Sequence, residues 1–243
     1  MKIGVPKEIL DLEFRVGLTP NSVSSLVAHG HEVFVETNAG TGSGFADEDY
    51  SASGAKILGT AKEVFSTSDM IVKVKQPLEA DLQLLEKRHI LFTYLHLAAD
   101  KALAKRLCDI GLSAYAYETV ELPNKVLPAL LPMSEIAGRM SIQIGAHFLE
   151  KAQGGRGVLL SGVPGVSKGK VVILGGGVAG TQAARQAIGI GAEVVIFEKS
   201  PLRIRELDQI FSREALVLAS EPHAIEKHIL TADLVVGAVL LPG

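Results

Sequence analysis

The chain has 243 residues, 47% of them hydrophobic, and a formal net charge of −3. With a mean hydropathy of +0.29 there is apolar material for two ordinary domains without help from disulfides or metal. The charge excludes the basic surface that nucleic-acid affinity needs, and no window approaches the run of about 18 apolar residues that a membrane span requires.

The chain opens on MKIGVPKEI, which lacks the apolar stretch of a secretory signal. Short Val/Ile/Leu runs broken by glycine then predict buried parallel strands at 2–5, 32–36, 70–75, 90–94 and 113–118. Helical stretches lie between them. One covers Pro20–Ala28, with Thr19 as N-cap and Pro20 at the first helical position. Strands alternating with helices of this length argue for parallel βαβ units. Cys108, the one cysteine, excludes an internal disulfide, fits a reducing cytoplasm, and falls in a helical pattern as a buried or half-buried thiol.

Prolines 123, 128 and 132 mark residues 121–132 as a connector, which divides the chain into domains 1–130 and 131–243. Ser134 offers an N-cap for a long helix over 135–152, with Ile136, Met140, Ile144 and Phe148 at helical spacing. Residues 154–169 read as a glycine-rich loop. A second α/β pattern follows, with strands at 171–174, 194–197, 216–218 and 234–236. Helices are expected at 178–190, 201–211 and 222–230. A complete dinucleotide fold has about six strands. The fold class expected is therefore α/β: a Rossmann-type parallel sheet, incomplete where the chain ends at Gly243, behind an N-terminal α/β substrate domain.

The strongest motif follows the strand at 171–174. Gly175, Gly177 and Gly180 satisfy G-x-G-x-x-G between a strand and a helix, with Val178 and Ala179 at the helix start. The first glycine permits a tight turn, the second lets a pyrophosphate approach the backbone, and the third lets helix and strand pack closely. The pyrophosphate would sit on unpaired N–H groups at the positive helix end. Glu198 ends the next strand, near the spacing of about 20 residues at which an acid binds the ribose hydroxyls. A carboxylate there favours NAD over NADP, although the cations Lys199 and Arg203 lie nearby. The glycine cluster at 40–44 also follows a strand, but it lacks the third glycine and the following acid. It reads as a turn or packing loop.

Three charged or titratable residues of the first domain lie where open α/β sheets place ligand groups. Arg15 is in a loop before a capped helix, Lys75 ends an apolar strand, and His96 follows another. A guanidinium and an ammonium can hold a carboxylate, and an imidazole can move a proton. Taken singly, each also reads as a solvated loop cation, a strand-end charge or a hydrogen-bonded structural histidine. The other histidines make no metal cluster, so no metal is expected.

Several stretches resemble one family over the whole chain. MKIGVPKE with Arg15-Val16-Gly17-Leu18-Thr19-Pro20 looks like the N-terminus of alanine dehydrogenases and of the NAD-binding transhydrogenase subunit, and the segment from Ala39 to Phe45 is shared by both. LPMSEIAGR at 131–139 and GGRGVLL at 154–160 are closer to alanine dehydrogenase. The resemblance implies NAD-dependent, reversible oxidative deamination of L-alanine to pyruvate and ammonium, in a cytoplasmic homo-oligomer, commonly a hexamer. It implies that Arg15 and Lys75 bind the substrate carboxylate and that His96 hydrogen-bonds substrate and transfers protons. Ser134 matches a pyrophosphate contact, Glu198 the ribose-binding acid, and Arg203 a residue near the adenosine. The family adds a catalytic aspartate and C-terminal segments beyond the matched stretch, so a C-terminally truncated chain of impaired activity is expected. Two alternatives remain from the sequence: a transhydrogenase-like NAD(H)-binding module and a non-catalytic nucleotide-binding remnant.

Overall fold

Apolar runs alternating with amphipathic stretches build, in the computed structural model, two parallel sheets in separate units, Met1–Ala129 and a second beginning at Leu130. The structure describes residues 1–239, so the expected end at Gly243 lies outside the described residues.

In chain order the first unit holds β1 (Lys2–Val5), α1 (Pro20–Ala28), β2 (Glu32–Glu36), α2 (Asp47–Ala52), β3 (Lys56–Leu58) and α3 (Ala61–Thr67). Then come β4 (Met70–Val72), α4 (Glu79–Leu82), β5 (Ile90–Thr93), α5 (Lys101–Ile110) and β6 (Ser113–Ala116). Its six strands lie in the order β3-β2-β1-β4-β5-β6, all parallel. The winding direction reverses between β1 and β4, which opens a crevice beyond the C-terminal ends of those strands. Ile71 packs with Phe65, Leu91 and Leu107, whereas its neighbour Val72 packs with Val5, Val35 and Tyr50. Strand alternation thus feeds two core clusters from one strand.

Five sequence expectations change here. β3 is additional; at three residues, starting on exposed Lys56, it is too short to show as an apolar run. β4 stops at Val72 rather than 75, because the N–H groups of Val74 and Lys75 turn to the Glu8 carboxylate. β5 stops at Thr93, and β6 at Ala116 before a 3-10 turn, Tyr117–Thr119, because Glu118 takes the N–H groups of Leu95 and His96. Cys108 is exposed: α5 buries Leu103 and Leu107, and the next position turns to solvent.

The second unit holds α6 (Leu131–Phe148), β7 (Lys170–Leu174), α7 (Val178–Gly189), β8 (Glu193–Glu198), α8 (Pro201–Phe211), β9 (Ala215–Ala219), α9 (Pro222–Ile229) and β10 (Leu234–Gly237). The strands run parallel in the order β10-β7-β8-β9, with the reversal between β7 and β10. Ala183, Ala184 and Ala187 of α7 are fully buried against Val171, Ile173 and Ile196, so small side chains set a close helix–sheet approach. α6 starts before Ser134, which therefore does not cap it: Pro132 sits in the first turn, where a missing N–H costs nothing, and the Ser134 N–H bonds Leu130 O. It ends at Phe148, with a separate 3-10 turn at Lys151–Gln153. Among the described residues no helix is long and apolar enough to cross a membrane.

His89, buried just before β5, supplies a pH test. Its Nδ1 accepts the Glu86 N–H at 2.9 Å, so Nε2 carries the proton and donates to Phe65 O at 3.0 Å. Burial holds its pKa below the ordinary 6.5, against the pull of the Phe65 carbonyl. The unfolded chain therefore binds that proton first, and stability is lost as pH falls through the unfolded value toward the folded one. Protection of first-unit amides against hydrogen exchange, corrected for the intrinsic rate, should fall between about pH 7.5 and about pH 5.5. A His89→Gln variant should show a flatter dependence.

Candidate functional site

The C-terminal ends of β1, β4, β5 and β6 carry an unusual concentration of charge. Arg15 lies in the loop after β1 and is exposed, clamped by Glu13. Its Nε donates to Glu13 Oε1 at 2.7 Å, its Nη2 to Oε2, and its backbone N–H to Oε1 at 3.0 Å. The side-chain hydrogen bond from Arg15 is the main reason the Glu13 carboxyl lies below its usual range, and the Lys75 charge adds to it. Ser43 Oγ donates to Phe14 O at 3.0 Å, and a Cβ on Gly42 would lie 2.7 Å from that oxygen. The glycine cluster at 40–44 thus packs on the loop that carries Arg15.

Lys75 follows β4. The buried carboxylate of Glu8 accepts the Val74 N–H at 2.6 Å and the Lys75 N–H at 3.3 Å. Behind it Lys73, 1% exposed, places Nζ 3.3 Å from Glu8 and 3.3 Å from Asp81. Asp81 in turn accepts the Leu78 N–H at 3.0 Å at the start of α4. A buried ammonium is tolerable only because two carboxylates face it.

His96 follows β5 with a left-handed backbone, φ 52°. Its ring is exposed and stacks on Tyr94, with centroids 6.1 Å apart and planes 14° from parallel. Its N–H donates to Glu118 Oε1 at 2.7 Å, and the Leu95 N–H reaches the same carboxylate at 3.1 Å. Burial raises the Tyr94 phenol, Arg15 opposes the rise and Glu118 adds to it, so the ring stacked on His96 also feels Arg15. Arg15, in the loop after β1, and Lys75 and His96, just past β4 and β5, therefore share electrostatic neighbours, Glu13 and Tyr94.

Sequence reasoning missed Glu8, Glu13, Glu118, Lys73, Asp81 and Tyr94. A lysine inside the run Met70-Ile71-Val72-Lys73-Val74 was the one available signal, since strand alternation at that position demands a buried partner.

In the second unit the glycine loop joins β7 to α7. Gly175 has φ 100°, a conformation that favours glycine. A Cβ on Gly180 would collide with Gly175 O, whereas one on Gly177 would meet no atom within 4 Å. Close packing is thus demanded at one position and open space kept at the other. Glu198, at the end of β8, accepts the Gly176 N–H at 2.8 Å on one oxygen and the N–H groups of Lys199 (2.8 Å) and Ser200 (2.9 Å) on the other. Burial alone would raise its pKa, but the donors from Ser200, Gly176 and Lys199, with Arg203, outweigh it and hold the carboxyl below its usual range.

Arg203, in the first turn of α8, donates to Gly176 O at 2.8 Å, Thr181 Oγ1 at 2.9 Å and Glu206 at 2.6 Å. It braces the glycine loop from within the unit. Ser134 lies in the first turn of α6, one turn before Gly138, where a Cβ would collide with Ala179 O. Val178 and Ala179 form the first turn of α7, with Val178 exposed. Among the described residues no group of three His, Cys, Asp or Glu side chains is placed to hold a metal ion.

Parallel sheets wound in both directions, with a strand–glycine turn–helix whose next strand ends in an acid, define a doubly wound α/β protein of the nucleotide-binding class. The chain belongs to the alanine dehydrogenase/PNT family: the model of its N-terminal domain matches residues 4–137 and that of its C-terminal domain residues 141–243. It is 54% identical to an alanine dehydrogenase of Methanococcus maripaludis over all of its own length. A solved L-alanine dehydrogenase superposes on the whole chain with a TM-score of 0.93 at 57% identity, the chain covering 67% of that protein. A transhydrogenase from Sinorhizobium meliloti, 24% identical, superposes on the whole chain with a TM-score of 0.82 while 70% of it is covered, and shares the fold. The chain spans 65% of the length of the curated relatives it matches.

Replacing Lys73 with Met leaves Glu8 and Asp81 buried without their cation, and should cost about 3–5 kcal/mol in urea unfolding of the first unit. Adding Glu8→Gln and Asp81→Asn to that variant should recover part of the loss.

Proposed function

We propose that this chain carries the substrate-binding and nucleotide-binding parts of an NAD-dependent alanine dehydrogenase, with domains 1–130 and 131–243 in those roles. The observation that carries the reading is the position of Lys75 and His96 just past adjacent strands, with Arg15 in the loop after the neighbouring β1, where the first sheet reverses. Arg15 and Lys75 hold the carboxylate of alanine or pyruvate, two cations against one anion. His96 hydrogen-bonds the substrate and gives or takes protons at the oxygen and nitrogen borne by the carbon that becomes the carbonyl, as water adds there and ammonia leaves. Overall, alanine, NAD⁺ and water become pyruvate, ammonium, NADH and one proton.

The second unit fits the dinucleotide. The cradle at Gly177 is open, and first-turn N–H groups at Val178 and Ala179 face a helix end suited to pyrophosphate. Ser134 joins them as a pyrophosphate contact. Glu198 uses three acceptor sites on backbone N–H groups; a carboxylate offers about four, which leaves one for a ribose hydroxyl. Its charge disfavours a 2′-phosphate, and Arg203, near the adenosine side, keeps the loop in shape. When bound, the nicotinamide accepts the substrate hydride. The reading extends to a cytoplasmic homo-oligomer, a hexamer as the resemblance implies, serving alanine catabolism. α6 supports the assembly by exposing Ile136, Met140, Ile144 and Phe148 along one face.

Three experiments test this. Gly177→Ala should leave the thermal stability of the second unit within about 1 kcal/mol yet weaken NADH binding about tenfold or more, whereas Gly180→Ala should damage both. NADH oxidation by the purified protein should require pyruvate and ammonium together, and pyruvate binding by calorimetry should vanish in Arg15→Ala. Pyruvate binding that ignores Arg15, or equal affinity for NADPH and NADH, would contradict the proposal.

A further inference from the structure

β5 and β6 run parallel with Thr93 opposite Ala116. Two residues on, Glu118 therefore arrives level with Leu95, where the ladder has stopped and backbone N–H groups lack strand partners. Its carboxylate takes both: Oε1 accepts the His96 N–H at 2.7 Å and the Leu95 N–H at 3.1 Å, and Oε2 lies 3.3 Å from the Leu95 N–H. The backbone of His96 sits at φ 52°, a conformation a residue with a Cβ holds only where its surroundings impose it. Leu95 is buried and fixes the chain on one side, while Tyr94 stacks on the imidazole from the other. With the backbone pinned between these, the exposed ring leaves the strand in one direction.

We propose that Glu118 is a positioning residue for His96: by accepting the two amides it holds the left-handed turn that aims the imidazole into the crevice. The proposal rests on the reading of His96 as a substrate-binding group. Glu118 acts through His96 alone and makes no contact with substrate, which separates it from a residue that merely stabilises the unit. A stabilising residue would add its effect to that of His96 removal; a positioning residue would not.

The test uses the full chain and four variants, Glu118→Ala, Glu118→Gln, His96→Ala and the double variant His96→Ala/Glu118→Ala. Pyruvate affinity is read by calorimetry, and exchange of the Leu95 and His96 amides by NMR. Loss of a charge-assisted hydrogen bond should speed amide exchange in Glu118→Ala by about tenfold to a hundredfold at these two positions. Pyruvate affinity should fall nearly as far as in His96→Ala, and the double variant should be no weaker than His96→Ala. Gln keeps one acceptor at the Oε1 position and should recover part of both. Should Glu118→Ala fail to fold, Glu118→Asp, whose carboxylate is withdrawn by one methylene, should show the same pair of losses.

If His96→Ala weakens pyruvate while Glu118→Ala and Glu118→Asp do not, the positioning role is wrong and the reading of His96 stands. The positioning role is equally wrong if the Glu118 and His96 effects simply add. If His96→Ala binds pyruvate as tightly as the parent chain, the reading of His96 fails and the positioning role falls with it.

Discussion

A carboxylate that accepts backbone N–H groups just beyond the end of a parallel strand is the interaction on which both units depend. Glu8 does this for Val74 and Lys75, Glu118 for Leu95 and His96, and Glu198 for Gly176, Lys199 and Ser200. Past the last ladder bond a strand has amides to satisfy, and an ionised acceptor satisfies them with bonds worth about 1.5–3 kcal/mol each, more than a neutral carbonyl gives. Each such bond ends a strand, turns the chain and fixes the next side chain. In the first unit that side chain is a candidate substrate group; in the second the bonds hold the glycine loop and the end of β8.

Placing carboxylates at strand ends in each unit has an electrostatic consequence that the structure meets with cations. Lys73 stands between Glu8 and Asp81, Arg15 closes on Glu13, and Arg203 lies close enough to lower Glu198. In the first unit the buried ammonium of Lys73 is faced by two carboxylates, whereas Arg15 is exposed and Lys75 half-buried. Lys73 and Lys75 lie two positions apart in one extended segment but differ in surroundings, the one buried between two carboxylates, the other half-buried.

Much of this architecture was legible in the sequence. Strand–helix alternation located nearly every strand, and the glycine spacing located the tight turn between β7 and α7. What escaped was set by long-range partners. The strands at 70–75 and 113–118 looked longer than they are because Val74 and Tyr117 carry strand propensity, whereas the Val74 amide is claimed by Glu8 from elsewhere in the chain, and Glu118 leaves its own strand to claim the Leu95 amide. The short edge strand β3 has one exposed lysine among three residues and no period to detect. Arg203 shows the same limit at the site: its charge is visible in the sequence, but only the fold shows it turned onto Gly176 O.

The most direct measurement is a pair of ¹H–¹⁵N NMR titrations of the full chain, one with pyruvate and one with NADH. Pyruvate should move the signals of Arg15, Lys75, Leu95 and His96 together and saturably, and NADH should move those of Gly175, Gly176, Gly177 and Gly180 with Lys199 and Ser200. Saturable shifts confined to other regions, or pyruvate shifts that bypass the three strand ends, would contradict the assignment of these carboxylate-held turns as the ligand sites.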